Sequence, residues 1–246
     1  MSDDVVALNE RAARMSPQQI IGYGIERFGS ELVIASSFSV EDVVLIDIAH
    51  RVSRRFRVVT LDTGRLPEET YDVIEQVRSR YGVTVEVFFP ERARVEQLVS
   101  IKGTRSFRAS VEDRKECCRV RKVEPLARAL AHAGAWATGL RQAQSQGRAS
   151  LPAFDVDERG LLKLAPLYRM GDAEVWAYAK EHAVPTSALY ARGYTSIGCA
   201  PCTRAISAGE DARAGRWWWE TPEHNECGIH TRSMQLLSPL TGGRPT

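Results

Sequence analysis

No apolar run in the 246 residues approaches the stretch of about 18 that a membrane span requires, so no membrane partner is expected. The amino terminus, MSDDVVALNE, lacks the charged-then-apolar pattern of an export leader, and a cytoplasmic location is expected. Neither sign of charge dominates. Lys and Arg number 33 against 31 Asp and Glu, and the net charge of +2 is too small to imply a nucleic-acid partner; none is expected. There is no internal repeat and no low-complexity linker. Cysteine is scarce, with only five residues. What remains is a chain of 43% hydrophobic and 26% charged residues, long enough to bury a substantial core in one domain.

The five cysteines are unevenly placed. Cys117 and Cys118 are adjacent, Cys199 and Cys202 form a Cys-x-x-Cys, and Cys227 stands alone near the end. A disulfide within the adjacent pair is disfavoured, because neighbouring Cα atoms lie about 3.8 Å apart and a bridge normally needs at least about 4.4 Å. A reducing cytoplasm further favours metal binding or catalysis over structural bridges. A tetrahedral zinc site, with Zn–S bonds of about 2.3 Å, holds its sulfurs close together. Consecutive helical residues diverge by about 100°, which suits the separate iron corners of an iron–sulfur cube better than one small ion. Zinc stays open as the alternative. Arginines and lysines crowd the adjacent pair in RSFRASVEDRKECCRVRK (105–122), a run that a solvated basic helix would also explain.

The first half alternates apolar runs with helical patterns. Ser16-Pro17 reads as the cap and first position of a helix to about Phe28. Strands are expected over 31–37, 56–62, 83–89 and 135–141, with helices from about Glu41 to Arg51 and from Pro67 to near Gly82. His50 and His132 fall in predicted helices. Such alternation implies an α/β fold with a parallel sheet covered on both faces. Beyond about residue 190, Gly, Cys, Arg and Trp replace regular periodicity.

Ligands of such sheets bind beyond the carboxyl ends of the strands. The first end gives Ser36, Ser37, Phe38 and Ser39, whose hydroxyls and helix-start N–H groups suit an anion; a Ser39–Asp42 capping box would equally account for Ser39. The second end gives Asp62, Thr63, Gly64, Arg65 and Leu66. The fourth gives Gly139-Leu140-Arg141, a small residue beside a guanidinium able to bind an oxyanion. Together these ends describe a nucleotide pocket.

The motifs SSFSVED, LDTGRL, KECCRVRK, GCAPCTR and ECGIH, in this order over residues from about 30 to 232, resemble the assimilatory adenylylsulfate (APS) reductases, close relatives of the phosphoadenylylsulfate (PAPS) reductases. The resemblance implies a PP-loop fold, a Rossmann-like sheet of the adenine nucleotide alpha hydrolase type. The nucleotide domain with its metal site would occupy residues 1–205, and a C-terminal segment with a mobile tail residues 206–246. The serine-bearing loop departs from the glycine-rich loop of ATP-cleaving relatives, which argues against pyrophosphatase chemistry.

By matching motif positions, the resemblance implies that Cys227 attacks the sulfate sulfur of APS, leaving an S-sulfonated cysteine from which thioredoxin (or glutaredoxin) releases sulfite. It implies a [4Fe–4S] cluster on Cys117, Cys118, Cys199 and Cys202. Lys122 would link cluster and substrate, four residues after Cys118 and so on one helical face with it. Arg213 and Arg216 would hold the sulfate end, although a solvated helix face explains their spacing too. His224 and His230 flank the nucleophile and could tune it. Of Trp217, Trp218 and Trp219, not all can face one core, so at least one should be exposed. Three other functions compete: a PAPS reductase, an iron–sulfur tRNA-thiolating PP-loop protein, and a zinc-stapled binding module. A homo-oligomer stays open beside a monomer.

Overall fold

A computed structural model describes residues 5–221. The chain runs through α1 (Val5–Ala12), α2 (Pro17–Phe28), β1 (Leu32–Ala35), α3 (Val40–Val52), β2 (Arg57–Leu61), α4 (Glu68–Tyr81), β3 (Val85–Phe88) and α5 (Arg92–Lys102). A long helical stretch follows, split by a π-helical turn (Arg119–Val123) into α6 (Val111–Cys118) and α7 (Glu124–Ala129). Then come β4 (Ala135–Ala137), β5 (Phe154–Val156), β6 (Leu162–Leu164) and α8 (Asp172–Glu181), after which only short turns remain to Thr221. Among the described residues no helix is long and apolar enough to cross a membrane.

Local chemistry explains the boundaries. Ser16 and Gln19 form a reciprocal capping box at the start of α2: the Gln19 N–H donates to Ser16 Oγ and the Ser16 N–H to Gln19 Oε1. Gly82, left-handed at φ +61, ends α4. His132 lies in the turn after α7 and not in a helix, because α7 already stops at Ala129.

The six strands are ordered β3-β2-β1-β4-β6-β5, all parallel except β5, which pairs antiparallel with β6. The α/β expectation holds, with the β5–β6 hairpin an addition. In that hairpin the Asp157 carboxylate accepts from the Arg159 and Leu161 N–H groups, closing the turn. Alternation sorts β1 between two cores. Leu32 and Ile34 join Ile20, Ile21 and Val43 on the face covered by α2 and α3. Val33 joins Val59, Leu126 and Trp136 on the face covered by α7. A third, smaller core gathers Leu98, Phe107, Val120, Cys117, Cys199, Cys202 and Trp217. Strands leave β1 on both sides, so the sheet reverses its winding between β1 and β4, and a crevice opens at their carboxyl ends.

Candidate functional site

A cavity of about 440 Å³ occupies that crevice, a volume ordinary for a small-molecule site. Ser36, Ser37 and Ser39 line it. Phe38 does not: its side chain is 2% exposed and belongs to the main core, with the backbone at φ +58. A bulky residue in the left-handed region costs about 1–3 kcal/mol and persists only where its surroundings hold it. Here the core holds the ring, and the Phe38 N–H donates to Ser36 Oγ at 3.0 Å.

Asp42 organises this loop. Its carboxylate accepts from the Ser37 N–H (2.7 Å), Ser37 Oγ (2.8 Å), Ser39 Oγ (3.3 Å) and the Gly139 N–H (3.1 Å). The Ser39–Asp42 capping box therefore does not form, since Ser39 makes no side-chain bond to the helix backbone and gives its hydroxyl to the carboxylate instead. The Val40 N–H at the start of α3 is taken by Tyr190 Oη at 2.9 Å. Burial raises the Asp42 carboxyl above its ordinary range, and the donated bonds oppose that rise. Burial and neighbouring Asp42 raise Glu41 likewise. Gly139 is a steric necessity here, as a Cβ would fall 2.5 Å from Asp42 Oδ1. Asp42→Ala should strand several donors and cost about 3 kcal/mol of stability, read as a lowered urea midpoint at unchanged slope.

The LDTGRL loop ties this cavity to a second one. Thr63 and Leu66 line the first, whereas Asp62, Gly64 and Arg65 do not. Asp62 shapes the turn, accepting from the Gly64 N–H at 2.7 Å and Tyr71 Oη at 2.9 Å. The Thr63 hydroxyl lies 3.3 Å from Cys199 Sγ. The Thr63 carbonyl accepts from Arg121 Nη1 at 2.6 Å, and the Arg65 carbonyl from the Ala200 N–H at 2.8 Å. One short loop thus touches the serine-loop cavity on one side and the cysteines on the other.

All four described cysteines, Cys117, Cys118, Cys199 and Cys202, line the second cavity, buried and unbridged. Arg65, Arg114, Arg121, Lys122 and Arg216 line it too. Burial pushes the Cys202 thiol up to about 11, with Cys199 adding to the rise and Lys122 and Arg216 opposing it. Burial also raises Cys117, against Arg65 and Arg121. Among the described residues no group of three or more His, Cys, Asp or Glu could hold a metal ion as the side chains stand. The donor set nevertheless fits a sulfur-ligated anionic group. Among the described residues on the cavity wall there are four thiols and no imidazole or carboxylate, and the surrounding cations would favour thiolates.

Lys122 lines both cavities, as do Cys199 and Arg216. Lys122 lies in the π-helical turn, so the spacing from Cys118 is not the plain α-helical one assumed from sequence. Arg141 lines the first cavity, but its guanidinium is already engaged by Asp172 Oδ1 (2.6 Å) and the Met170 carbonyl (3.0 Å). Arg213 lines the first cavity from a turn, and Arg216, 7% exposed, sits in an isolated β-bridge with Thr203; neither is on a solvated helix face. Trp217 is buried and Trp218 is 38% exposed, as the crowding of three tryptophans requires. Cys227, His224 and His230 lie outside the described residues. Sequence reasoning passed over Glu41, Asp42 as a loop organiser, Trp176 and Tyr190, all of which line the first cavity. Only Asp42, read merely as the partner in a cap, carried a signal.

Residues 31–205 match the family model described as the phosphoadenosine phosphosulfate reductase domain. A protein of Allochromatium vinosum named adenosine 5'-phosphosulfate reductase is 47% identical over 97% of this chain and 92% of its own length. A protein of the same name from Pseudomonas aeruginosa is 44% identical over 94% of this chain and 88% of its own. Among solved structures, a phosphoadenylyl-sulfate reductase from Candida auris superposes with a TM-score of 0.71 at 26% identity, over 84% of this chain and 98% of that one. Yeast FAD synthetase shares the fold at a TM-score of 0.55 and 13% identity, over 83% of this chain and 70% of that one. With its PP-loop-like sheet and its cysteine and serine-loop motifs, the chain belongs to the phosphoadenosine phosphosulfate reductase domain family, as an oxidoreductase acting on a sulfur group.

Proposed function

We propose that the chain reduces adenosine 5'-phosphosulfate to sulfite and AMP, with a thioredoxin-type dithiol as electron donor. Lys122, Cys199 and Arg216 carry this assignment, because each lines both the crevice cavity and the four-cysteine cavity. The nucleotide occupies the first cavity, its phosphate near Ser36, Ser37 and Ser39, its sulfate end toward Lys122, Arg213 and Arg216. The Cys227 thiolate attacks the sulfate sulfur. An S–S bond forms, the S–O bond to the 5'-phosphate breaks, and AMP leaves with the electron pair. The dithiol then attacks Cys227 Sγ, sulfite departs with the S–S pair, and the donor closes its own disulfide as Cys227 returns to a thiol. Fixed positive charge in a partly closed cavity is what brings anionic thiolate and anionic sulfate together.

In the second cavity we place a [4Fe–4S] cluster, held by Cys117, Cys118, Cys199 and Cys202. When bound it supplies a fixed negative charge beside Lys122; sulfonyl transfer to Cys227 requires no electron from it. Lys122→Ala should accordingly lower turnover by about tenfold or more while the visible absorbance of the protein stays intact. Unchanged turnover would remove the lysine from the reaction.

Intact-protein mass spectrometry after adding APS without reductant tests the whole assignment. The expected result is a sulfonate adduct on Cys227. An adduct with PAPS but none with APS would move the substrate to the 3'-phosphorylated nucleotide, and no adduct with either would end the proposal.

A further inference from the structure

Gly198 immediately precedes Cys199 in the turn that separates the two cavities, and it lines the larger one. It is not among the glycines at positive φ, so its backbone would accept any side chain. Space forbids one. A Cβ at this position would lie 2.4 Å from Arg216 Nη2, 2.6 Å from Cζ and 3.0 Å from Nη1. The guanidinium therefore rests directly on the bare Cα of Gly198.

The rest of the Arg216 environment is equally closed. Nη1 donates to the Ile197 carbonyl at 3.1 Å and to Ser196 Oγ at 3.4 Å. The Cζ atom stands 4.7 Å from the Trp217 ring centroid. The backbones of Thr203 and Arg216 form a β-bridge, while Thr203 Oγ1 accepts from the Gly198 N–H at 3.1 Å and donates to the Cys199 carbonyl at 3.0 Å. The Nε atom is buried and has no hydrogen-bond partner among the described residues.

We propose that Gly198 is a positioning residue for substrate: the absence of its side chain lets the Arg216 guanidinium lie at the junction of the cavities, where it takes the sulfate end of the nucleotide. This rests on the assignment of Arg216 to the sulfate. Any methyl group at residue 198 moves the guanidinium off its seat. The colliding atoms are the tip of a long side chain, so the fold gives way at little cost and the arginine does not stay in place.

The test measures affinity for APS and for AMP in the full chain carrying Cys227→Ser, which prevents consumption of APS. Gly198→Ala and Arg216→Ala are each expected to weaken APS about tenfold or more while AMP stays within about twofold. Gly198→Ala added to Arg216→Ala should then change nothing further, since its only target is gone. Arg216→Lys gives a second background without the planar group that a Cβ strikes, and Gly198→Ala should be silent there as well. If Arg216→Ala weakens APS and Gly198→Ala does not, the positioning role is wrong while the sulfate assignment survives. If Arg216→Ala leaves APS affinity unchanged, the assignment beneath it fails. A Gly198→Ala effect that persists without Arg216, or that lowers AMP affinity equally, would make the glycine a general structural residue and overturn the proposal.

Discussion

Cys227→Ser is expected to abolish sulfite formation from APS, by at least about 10³-fold, with AMP affinity within about twofold of the parent. Two independent barriers produce the loss. A serine hydroxyl is far from ionised near neutrality, whereas a thiol ionises far more readily, and fixed positive charge in the proposed site would draw it further toward thiolate. More decisively, a serine that did attack would form an O–SO₃ ester. That adduct has no S–S bond for a donor thiolate to cleave, so sulfite could not leave by exchange. The reaction would stop at one equivalent even if the first step survived. Anaerobic assays of sulfite release, run beside adduct mass, separate the two barriers: neither product is expected. Sulfite at the parental rate would remove Cys227 from the mechanism.

The fold was legible where burial on both faces writes itself into composition. The runs at Leu32–Ala35, Arg57–Leu61 and Val85–Phe88 became the parallel strands that the alternation with helices implied. β5 and β6 escaped because each is only three residues long, below the length at which period-2 alternation separates from chance. His132 was misplaced for a related reason. The helical pattern continues in composition past Ala129, but Leu130 leaves helical geometry as the chain turns toward β4.

Within the candidate site, residues that line the crevice from a strand-end loop were legible, since topology sends those loops to one place. Ser36, Ser37, Ser39, Thr63 and Gly139 all line it. Phe38, Asp62, Gly64 and Arg65, read from the same loops, do not line that cavity; Phe38 packs in the core, Asp62 and Gly64 bond within their turn, and Arg65 faces the other cavity. Membership of a motif says that a position is constrained and leaves open whether the constraint is contact or support. Tyr190 and Trp176 carried no local signal. They reach the crevice from residues far along the chain, 150 positions separating Tyr190 from the Val40 N–H it accepts from.

Removing one thiol from the second cavity should have the other large effect. Cys202→Ser is expected to yield protein with little of the broad absorbance near about 400 nm that iron–sulfur proteins show, with stability lowered by about 3–5 kcal/mol. The size follows from charge. Among the described residues, Arg65, Arg121 and Arg216 converge on the cavity wall without a carboxylate among their hydrogen-bond partners, while Arg114 is neutralised by Glu220 at 2.7 Å. Uncoordinated thiols answer this field poorly, because burial holds Cys202 near 11 and raises Cys117. Four thiolates coordinating the proposed cluster would supply the missing negative charge, and metal binding would then become part of the folding free energy. Denaturation of the anaerobically purified parent and variant, followed by metal analysis of each, checks both halves. A colourless parent containing zinc would replace the cluster by a single ion. An unchanged spectrum and midpoint in Cys202→Ser would mean that this thiol holds nothing, and that the basic wall has another counter-charge.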